Sequence, residues 1–311
     1  MSIEKRWLIA CYSSSSWLLM LAPLSWLFSI ISRLRRLVLQ FFYQGKPFSV
    51  PVAVVGNITV GGSGKTPLII ALVNALNERG YKVGVVSRGY GGDANVYPLA
   101  VTSETPVKQC GDEPLLIAQS CGCPVVVDPD RVRAVKFLLL QSPCDIVLSD
   151  DGLQHYRLHR DIEIAVVDAV RGLGNGRTLP SGPLREPSSR LSQVDFVVLN
   201  GAGSAFSVEI GSAKAHKVEL QAVGLRNMVS NQLVPVDEWK DGTKVHAVCG
   251  IGHPERFAQT LEHLGFEVIL NAVNDHQYLT GEDIEFGDQL PVIITAKDAV
   301  KYTDAASSNL W

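Results

Sequence analysis

The chain has 311 residues, of which 46% are hydrophobic, and its formal net charge is -3. A chain of this size and composition buries a large core, so a disordered protein is excluded, and the length favours about two domains. Residues 1–50 hold six basic side chains and one acidic one, a net +5, which leaves -8 for the remainder and argues against a nucleic-acid partner. The six cysteines form no CxxC pair, so we expect reduced thiols in a cytosolic protein.

An apolar stretch near the N-terminus predicts a membrane-anchoring helical segment in residues 1–36. No charged residue occurs from Trp7 to Ile31, and basic residues flank the stretch on both sides. We expect Pro23 to kink a helix here and to leave residues 17–31 as the densest apolar part, shorter than the ~20 residues that a spanning helix needs. An anchor in the membrane plane, a spanning helix and a buried core helix all stay open. The basic flanks favour the cytoplasmic side of a membrane.

A glycine-rich turn ending in Lys-Thr lies between a predicted strand, Val52–Gly56, and a predicted helix, Leu68–Glu78. This order is typical of a nucleotide-phosphate site, where converging backbone N–H groups and the helix N-terminus bind phosphate oxygens. Lys65 would reach the β- and γ-phosphates, and Thr66 would bind Mg²⁺. The predicted loop residues are Thr59, Val60, Gly61, Gly62, Ser63, Gly64, Lys65 and Thr66. Because Thr59 replaces the first glycine of the consensus, an ordinary glycine-rich turn is the alternative.

Short apolar runs alternate with helical patterns along the following part of the chain, which predicts a parallel α/β sheet. The predicted strands are Val52–Gly56, Lys82–Ser87, Pro124–Asp128, Asp145–Asp150, Ile162–Asp168 and Asp195–Asn200. The predicted helices between them are Leu68–Glu78, Glu113–Ser120 and Arg131–Leu140. Several strands end on a polar residue, and ligands of such sheets bind at the carboxyl ends of the strands.

A second strand–helix pattern begins after a segment of weak periodicity. We expect a core at 37–205, a linker or small β-element at 206–241 and a C-terminal α/β domain at 242–311. The elements predicted in the last domain are Val245–Gly250, Pro254–Leu264, Glu267–Val273 and Val292–Thr295. The predicted fold is therefore α/β, with a P-loop NTPase-like parallel sheet core, the N-terminal membrane-anchoring helix and a smaller C-terminal α/β domain.

Polar residues at the ends of these elements are the candidates for chemistry. Asp150 and Asp151 follow an apolar strand downstream of the phosphate loop, where either carboxylate could bind Mg²⁺. Asp112 precedes a helix, so capping is the favoured interpretation and a catalytic base is the alternative. Arg88 follows a strand and Arg131 opens a helix, positions that suit an anionic ligand.

His276 lies beside a carboxylate in the segment Asn274–Gln277, which suits proton transfer. A surface histidine without a function is an equally good interpretation of this residue.

Eight segments, taken in order, resemble the tetraacyldisaccharide 4'-kinase family of lipid A biosynthesis. They are TVGGSGKTP at 59–67, SRGYGG at 87–92, GDEP at 111–114, DDGLQH at 150–155, GPLREP at 182–187, GIGHPERF at 250–257, DHQYLT at 275–280 and TAKDAVK at 295–301. The order agrees from about Trp17 to the end of the chain, and eight motifs in sequence are highly specific.

The resemblance implies an ATP- and Mg²⁺-dependent lipid kinase that phosphorylates the 4'-hydroxyl of tetraacyldisaccharide 1-phosphate to give lipid IVA. It implies a membrane-embedded acceptor at the cytoplasmic face of the inner membrane of a Gram-negative bacterium. This would explain why a phosphate-binding core carries a lipid-seeking N-terminus.

The resemblance also implies roles for single residues. Asp112 would be the catalytic carboxylate and His276 its partner in a dyad, which reverses the preference for a simple cap. Phosphate and Mg²⁺ would be bound by Lys65, Thr66, Asp150 and Asp151. Phosphates of ATP or of the disaccharide would be bound by Arg88, Arg131 and Arg185.

The chain departs from the family at one motif and leaves two rival interpretations. The family commonly has Thr-Glu-Lys-Asp at residues 295–298, where this chain has Thr-Ala-Lys-Asp, so a role of that glutamate is absent here. A membrane-associated P-loop switch NTPase is the first rival, although Val60 stands where such proteins typically have Lys and no Asn-Lys-x-Asp motif occurs. A non-catalytic nucleotide-binding scaffold is the second rival.

Overall fold

The computed structural model describes residues 3–13, 15–42, 45–201, 213–274, 277–302 and 307–311. The chain divides into two compact units. The first comprises Met1–Arg88, Val96–Ser103 and Ile117–Leu220, and the second comprises Gly89–Asn95, Glu104–Leu116 and Gln221–Trp311. The segments Gly89–Asn95 and Glu104–Leu116 thus belong to the second unit, whereas the boundaries expected from the sequence place them in the core at 37–205.

An eight-stranded sheet forms the centre of the first unit, and the predicted α/β core is confirmed. Its strands are β1 (Val52–Gly56), β2 (Val83–Ser87), β3 (Leu99–Val101), β4 (Val125–Val127), β5 (Ile146–Asp150), β6 (Ile162–Asp168), β7 (Phe196–Asn200) and β8 (Lys214–Val218). The strand order is β3-β4-β2-β5-β1-β6-β7-β8, and all neighbours are parallel except β3 and β4. The carboxyl ends of β1, β2, β5, β6 and β7 therefore lie along one edge.

The core of this unit lies on both faces of the central strands. Every residue of β1 and β2 is buried, as expected for parallel strands covered on both faces. Two helices of this unit, α3 (Lys65–Glu78) and α6 (Arg131–Gln141), follow β1 and β4. A further helix, α5 (Asp112–Cys121), begins in the second unit and ends in the first.

Part of the segment interpreted as a linker belongs to the main sheet. Strand β8 lies within the range 206–241, which we expected to be a linker or a small β-element, but it pairs in parallel with β7. Its sequence, Lys-Ala-His-Lys-Val, is mostly exposed and lacks the apolar run of a buried strand. An edge strand has a neighbour on one side only and needs no such run.

The N-terminal helices differ from the expectation at Pro23. The segment contains α1 (Ile3–Tyr12), a 3₁₀ turn (Ser16–Leu21) and α2 (Ala22–Phe42). Pro23 is the second residue of α2, where no helical N–H partner is lost, so it begins this helix and the expected kink was wrong. Helix α2 also continues beyond the boundary expected at residue 36. Within the described ranges, Ser16–Phe42 is the one segment that is long and apolar enough to cross a membrane, by length and composition.

The second unit contains a smaller parallel sheet. Its strands, in the order β12-β11-β13, are β11 (Lys244–Cys249), β12 (Glu267–Ala272) and β13 (Val292–Ile294). Strands β9 (Gly224–Arg226) and β10 (Leu233–Pro235) form an antiparallel pair. The helices are α4 (Val107–Cys110), α7 (Pro254–His263), α8 (Gly281–Ile284) and α9 (Ala296–Ala299). The three strands of the parallel sheet and α7 lie where the sequence predicts them, because their apolar periodicity is strong.

Candidate active site

The phosphate loop lies between β1 and α3, as predicted. Helix α3 begins at Lys65 itself, and Gly61 and Gly64 have φ angles of 91° and 84°, in the left-handed region that favours glycine. A Cβ atom on Gly64 would collide with the side chain of Asn200. Thr59 has no such φ angle and forms a β-bridge with Leu184, so the consensus glycine is dispensable at this position.

Three side chains hold successive carbonyl groups of the phosphate loop. Asn57 Nδ2 donates to the carbonyl of Gly61 at 3.3 Å, and Asn200 Nδ2 donates to that of Ser63 at 3.1 Å. Arg171, which is paired with Asp168 at 3.2 Å, donates to the carbonyl of Gly62. With these carbonyls engaged, the loop is preorganised to offer its N–H groups to an anion.

Lys65 and Arg185 converge on one carboxylate, that of Asp151. Lys65 Nζ lies 3.5 Å from Oδ1 of Asp151, and Arg185 Nη1 donates to Oδ2 at 3.0 Å. Burial raises the pKa of Asp151, but Lys65 and Arg185 outweigh it, so this pKa lies below its ordinary value. Asp151 also has a φ of 45°, an uncommon conformation for a residue other than glycine, and such strain is concentrated at functional sites.

Asp150, at the end of β5, is almost completely buried. Its Oδ2 accepts a hydrogen bond of 2.9 Å from Ser87 Oγ, at the end of β2. The next residue but one, Gly152, cannot carry a side chain, since a Cβ atom would lie 2.5 Å from Ser149 Oγ. The paired aspartates are therefore fixed by the strand ends and by the tight turn that follows them.

The oxygen ligands of this edge fit Mg²⁺. Oδ1 of Asp151 is buried, with Lys65 Nζ 3.5 Å away, and Thr66, which carries a hydroxyl, is the second residue of the helix that Lys65 begins. Mg²⁺ typically uses one or two carboxylates, a hydroxyl and substrate phosphates, and hard oxygen ligands of this kind are present. The residues that would hold the ion are Thr66 and either or both of Asp150 and Asp151.

The other predicted arginines differ in their surroundings. Arg131 is only 3% exposed, and its guanidinium donates to the carbonyls of Asp128, at 2.9 Å, and Asp150, at 3.2 Å. Burial lowers the pKa of Arg131 to about 10, so it stays charged at neutral pH. Arg88 is exposed and close enough to oppose the charge of Arg131 electrostatically. Arg131 thus holds the turn at Asp150 through the main chain, and Arg88 has the more accessible guanidinium.

His155, in the motif after the paired aspartates, is held neutral. Burial and the nearby Arg131 lower the pKa of His155 to about 4. Its Nε2 atom is buried and has no hydrogen-bond partner in the part of the chain that the structure describes. A neutral imidazole can donate one hydrogen bond and accept another at physiological pH.

Helix α2 packs through polar side chains and exposes its apolar ones. Ser25 Oγ donates to the carbonyl of Thr178 at 2.7 Å, and Ser29 Oγ lies 2.7 Å from Thr178 Oγ1. The opposite side carries exposed apolar residues three or four positions apart: Leu24, Leu27, Ile31, Leu34, Val38 and Phe41. This polarity is the reverse of that of a helix on a water-soluble protein, and such an apolar stripe marks an interaction surface.

A loop of residues 175–186, here named the linking loop, contacts both α2 and the phosphate loop. At one end, Ser181 Oγ donates to the carbonyl of Leu18, and the Ser181 N–H donates to Ser25 Oγ, both at 2.8 Å. At the other end, the N–H of Val60 donates to the carbonyl of Pro183 at 2.8 Å, and that of Arg185 donates to Ile58 at 2.7 Å. The same short loop therefore anchors the apolar helix and presents Arg185 to Asp151.

In the second unit, Asp112 is the first residue of α5 and is nearly buried. Its Oδ1 accepts the N–H of Glu113 at 2.9 Å, and its Oδ2 lies 3.5 Å from Lys297 Nζ. The carboxylate therefore has a local hydrogen bond to the next residue and also a charged neighbour. His276, its predicted partner, lies outside the described residues.

The side chains that bind the loop carbonyls were not assigned to the site from the sequence. Asn200 and Asp168 carried a usable signal, because polar residues at strand ends mark the ligand edge of a parallel sheet. Asn57 directly follows β1 and carried the same signal, whereas Arg171 contacts the loop from a turn whose position depends on the fold.

Comparisons with known proteins agree with this geometry. The family model described as Tetraacyldisaccharide-1-P 4'-kinase matches residues 17–311. The tetraacyldisaccharide 4'-kinase of Stutzerimonas stutzeri is 48% identical over 97% of this chain and 89% of its own length. The enzyme of that name from Azotobacter vinelandii is 46% identical over 100% of this chain and 92% of its own.

The crystal structure of LpxK from Aquifex aeolicus in complex with ATP superposes with a TM-score of 0.79 at 28% identity, covering 94% of this chain and 92% of that one. Family model, relatives and fold agree over nearly the full length, so this chain belongs to the tetraacyldisaccharide 4'-kinase family.

Proposed function

We propose that this protein transfers the γ-phosphoryl group of ATP to the 4'-hydroxyl of tetraacyldisaccharide 1-phosphate, giving lipid IVA. The observation that carries the proposal is the linking loop, which joins a lipid-seeking helix to a phosphate site built from Lys65, Asp151 and Arg185. A kinase for a soluble acceptor has no need of the first part, and a simple membrane anchor has no need of the second.

The nucleotide is bound by the phosphate loop, Thr59 to Thr66. Its N–H groups and the N-terminus of α3 bind phosphate oxygens, and Lys65 neutralises charge on the β- and γ-phosphates. Mg²⁺ held by Thr66 with Asp150 or Asp151 supplies further charge neutralisation when it is bound. Arg185 and Arg88 bind phosphates of ATP or of the disaccharide in this proposal, and Arg131 supports the Asp150 turn through its carbonyl contacts.

Asp112 accepts the proton of the 4'-hydroxyl, and His276 assists it as a dyad partner. As the 4'-oxygen forms its bond to the γ-phosphorus, the bond from that phosphorus to the β–γ bridging oxygen breaks and ADP leaves. The hydroxyl proton passes to the carboxylate of Asp112. In phosphoryl transfer, most of the rate enhancement comes from positioning and charge stabilisation, and the base contributes a smaller factor.

The membrane surface is the partner of α2. Its exposed apolar stripe enters the lipid, and the basic residues at 33–36 suit the anionic headgroups of a cytoplasmic leaflet. We assign the protein to the cytoplasmic face of the inner membrane of a Gram-negative bacterium, where ATP and a membrane-embedded acceptor meet. We also propose that the chain divides at residues 36, 205 and 241 into an N-terminal segment, a kinase core, an intervening segment and a C-terminal domain. Strand β8, from the intervening segment, joins the sheet of the core.

A direct experiment separates this proposal from its rivals. Purified protein is incubated with ATP labelled at the γ-phosphate, Mg²⁺ and the lipid acceptor in mixed micelles, with Asp112→Asn as a matched variant. We expect label in the lipid with the wild type and a loss of about a hundredfold in Asp112→Asn. Release of inorganic phosphate without labelled lipid would support the switch NTPase, and binding without either product would support the scaffold.

A further inference from the structure

The motif at residues 295–298 forms a rigid turn in the second unit. Asp298 is fully buried, and its Oδ2 accepts hydrogen bonds from the N–H of Gly250, at 3.1 Å, and from Thr295 Oγ1, at 2.6 Å. Lys301 Nζ lies 2.7 Å from its other oxygen. Thr295 Oγ1 in turn accepts the N–H of Asp298, which caps α9. The backbone that carries Lys297 is therefore fixed at both ends of the motif.

Lys297 extends from this turn to two carboxylates at the start of α5. Its Nζ lies 3.5 Å from Asp112 Oδ2 and 3.5 Å from Glu113 Oε1. The Lys297 side chain is 24% exposed and that of Asp112 is 5% exposed, so this charge pair is mostly withdrawn from solvent. Water screens such a pair less than it screens an exposed surface pair.

The contacts on Asp112 fix the direction of its carboxyl group. Oδ1 is engaged by the N–H of Glu113 and Oδ2 faces Lys297, so rotation of the group would break both interactions. The second carboxylate, Glu113, competes for the same ammonium group and repels the charge of Asp112. The balance between Lys297 and Glu113 therefore controls how readily Asp112 takes up a proton.

We propose that Lys297 is a positioning residue that keeps the Asp112 carboxylate ionised and oriented for proton acceptance. This inference rests on the proposed function, in which Asp112 is the base. It also explains which part of the motif matters in this chain: Ala296 is exposed, whereas Thr295 and Asp298 fix the turn and Lys297 contacts Asp112.

Tyr278 and Cys110 are further titratable groups near Asp112 in the part of the chain that the structure describes. Burial raises the pKa of Tyr278, and Asp112 adds to that effect. Burial likewise raises the pKa of Cys110 to about 11, with Asp112 again contributing. Lys108 lies 5.8 Å from the centre of the Tyr278 ring. Tyr278 and Cys110 stay protonated near neutral pH, so the acid side of a pH–rate profile reports on Asp112, its two charged neighbours and its proposed partner His276.

The test is the pH dependence of kcat/KM for lipid phosphorylation by Lys297→Met, Lys297→Arg and Glu113→Gln. We expect Lys297→Met to move the acid limb to higher pH by about half to one pH unit, because the carboxylate loses a nearby cation. Lys297→Arg should keep the limb in place. Glu113→Gln should move it to lower pH, because a competing negative charge is removed.

Two controls make the result decisive. Lys244→Met removes an exposed lysine of the same unit, paired with Glu267 at 3.1 Å, and should leave the profile unchanged. An acid limb that stays in place in both Lys297→Met and Glu113→Gln overturns the inference, and so does a loss of activity that is equal at every pH. If Lys297→Met does not fold, Glu113→Gln alone decides, because its predicted shift has the opposite sign.

The variant Asp112→Asn distinguishes this failure from a failure of the proposed function. Inactive Asp112→Asn with an unmoved limb in the other variants removes only the role of Lys297. Full activity in Asp112→Asn removes the role of Asp112 as base.

Discussion

The phosphate loop and helix α2 belong to the same unit but are built by opposite rules. The loop is surrounded by buried polar groups, and three of its carbonyls accept hydrogen bonds from Asn57, Arg171 and Asn200. Helix α2 turns its serines inwards and exposes leucines, isoleucine and phenylalanine. A polyanion is bound by preorganised donors, whereas lipid is bound by apolar area, so the two regions serve two different ligands. The linking loop is the element that both share.

Removing Lys65 from the phosphate loop should have the largest effect, and it should change catalysis without changing membrane binding. We expect Lys65→Ala to lower kcat by about a hundredfold or more, because charge on the transferred phosphoryl group loses its nearest cation. Binding of the protein to vesicles should be unchanged. Steady-state kinetics with a vesicle flotation assay check both points, and Lys136→Ala, an exposed lysine on α6, is the control. Loss of membrane binding in Lys65→Ala would show that the phosphate loop and helix α2 do not act independently.

Placing charges on the apolar stripe of α2 should abolish most of the membrane binding. In Leu27→Glu/Leu34→Glu, side chains that are 50% and 59% exposed become charged, and we expect a membrane-bound fraction at least about tenfold smaller. Phosphorylation of acceptor in vesicles should fall in parallel, while phosphorylation of a detergent-dispersed acceptor should be affected less. The matched control is Leu140→Glu, which charges an exposed leucine of α6. Unchanged flotation of the double variant would show that α2 is not the anchor.

Removing a carbonyl contact should weaken nucleotide binding moderately. Asn200→Ala leaves the Ser63 carbonyl without its donor, so we expect a KM for ATP higher by about tenfold and a loss of about 1 kcal/mol in stability. The KM for the lipid should stay the same. Kinetics in both substrates and thermal unfolding test this, with Asn74→Ala, an exposed asparagine on α3, as the control. An equal rise in both KM values would contradict a role confined to the phosphate loop.

The smallest effect near neutral pH is expected from His155, the neutral histidine that follows the paired aspartates. The pKa of His155 is lowered from an ordinary 6.5 to about 4, so the unfolded chain binds its proton more tightly than the folded one. Stability from this group is complete above pH 6.5 and is lost as the pH falls towards 4. For a fully buried ring the loss would be on the order of 3 kcal/mol, and it is smaller for this partly buried one.

Unfolding measured between pH 7 and pH 4 checks this point. His155→Gln should flatten the acid decline relative to the wild type. Identical declines in the two proteins would assign the acid sensitivity to other groups.

The parts of the fold that are determined locally were predicted from the sequence. Strand β1, the phosphate loop and α3 form one continuous segment, and the polar residues after β2, β5 and β7 marked the ligand edge before any contact was known. Family motifs extended the prediction to Asp112 and Arg185.

The missed parts depend on contacts between distant segments. Strand β8 has too little apolar character to be recognised without its neighbour β7. A proline disrupts a helix in its interior but is accepted in its first turn. Pro23 lies in the first turn because the preceding 3₁₀ turn ends at Leu21 and α2 begins at Ala22, and the sequence alone did not show this boundary. Likewise, Arg171 and Lys297 gain their roles from the carbonyl and carboxylates that the fold brings beside them.

The most direct test of the account is to locate the new phosphate on the product. Purified protein, ATP and Mg²⁺ are incubated with tetraacyldisaccharide 1-phosphate in vesicles, and the lipid is analysed by fragmentation in a mass spectrometer. We predict one added phosphate, attached to the 4'-oxygen of the distal sugar and absent when Lys65→Ala replaces the wild type. A phosphate on another oxygen, or an unmodified lipid beside hydrolysed ATP, would contradict it.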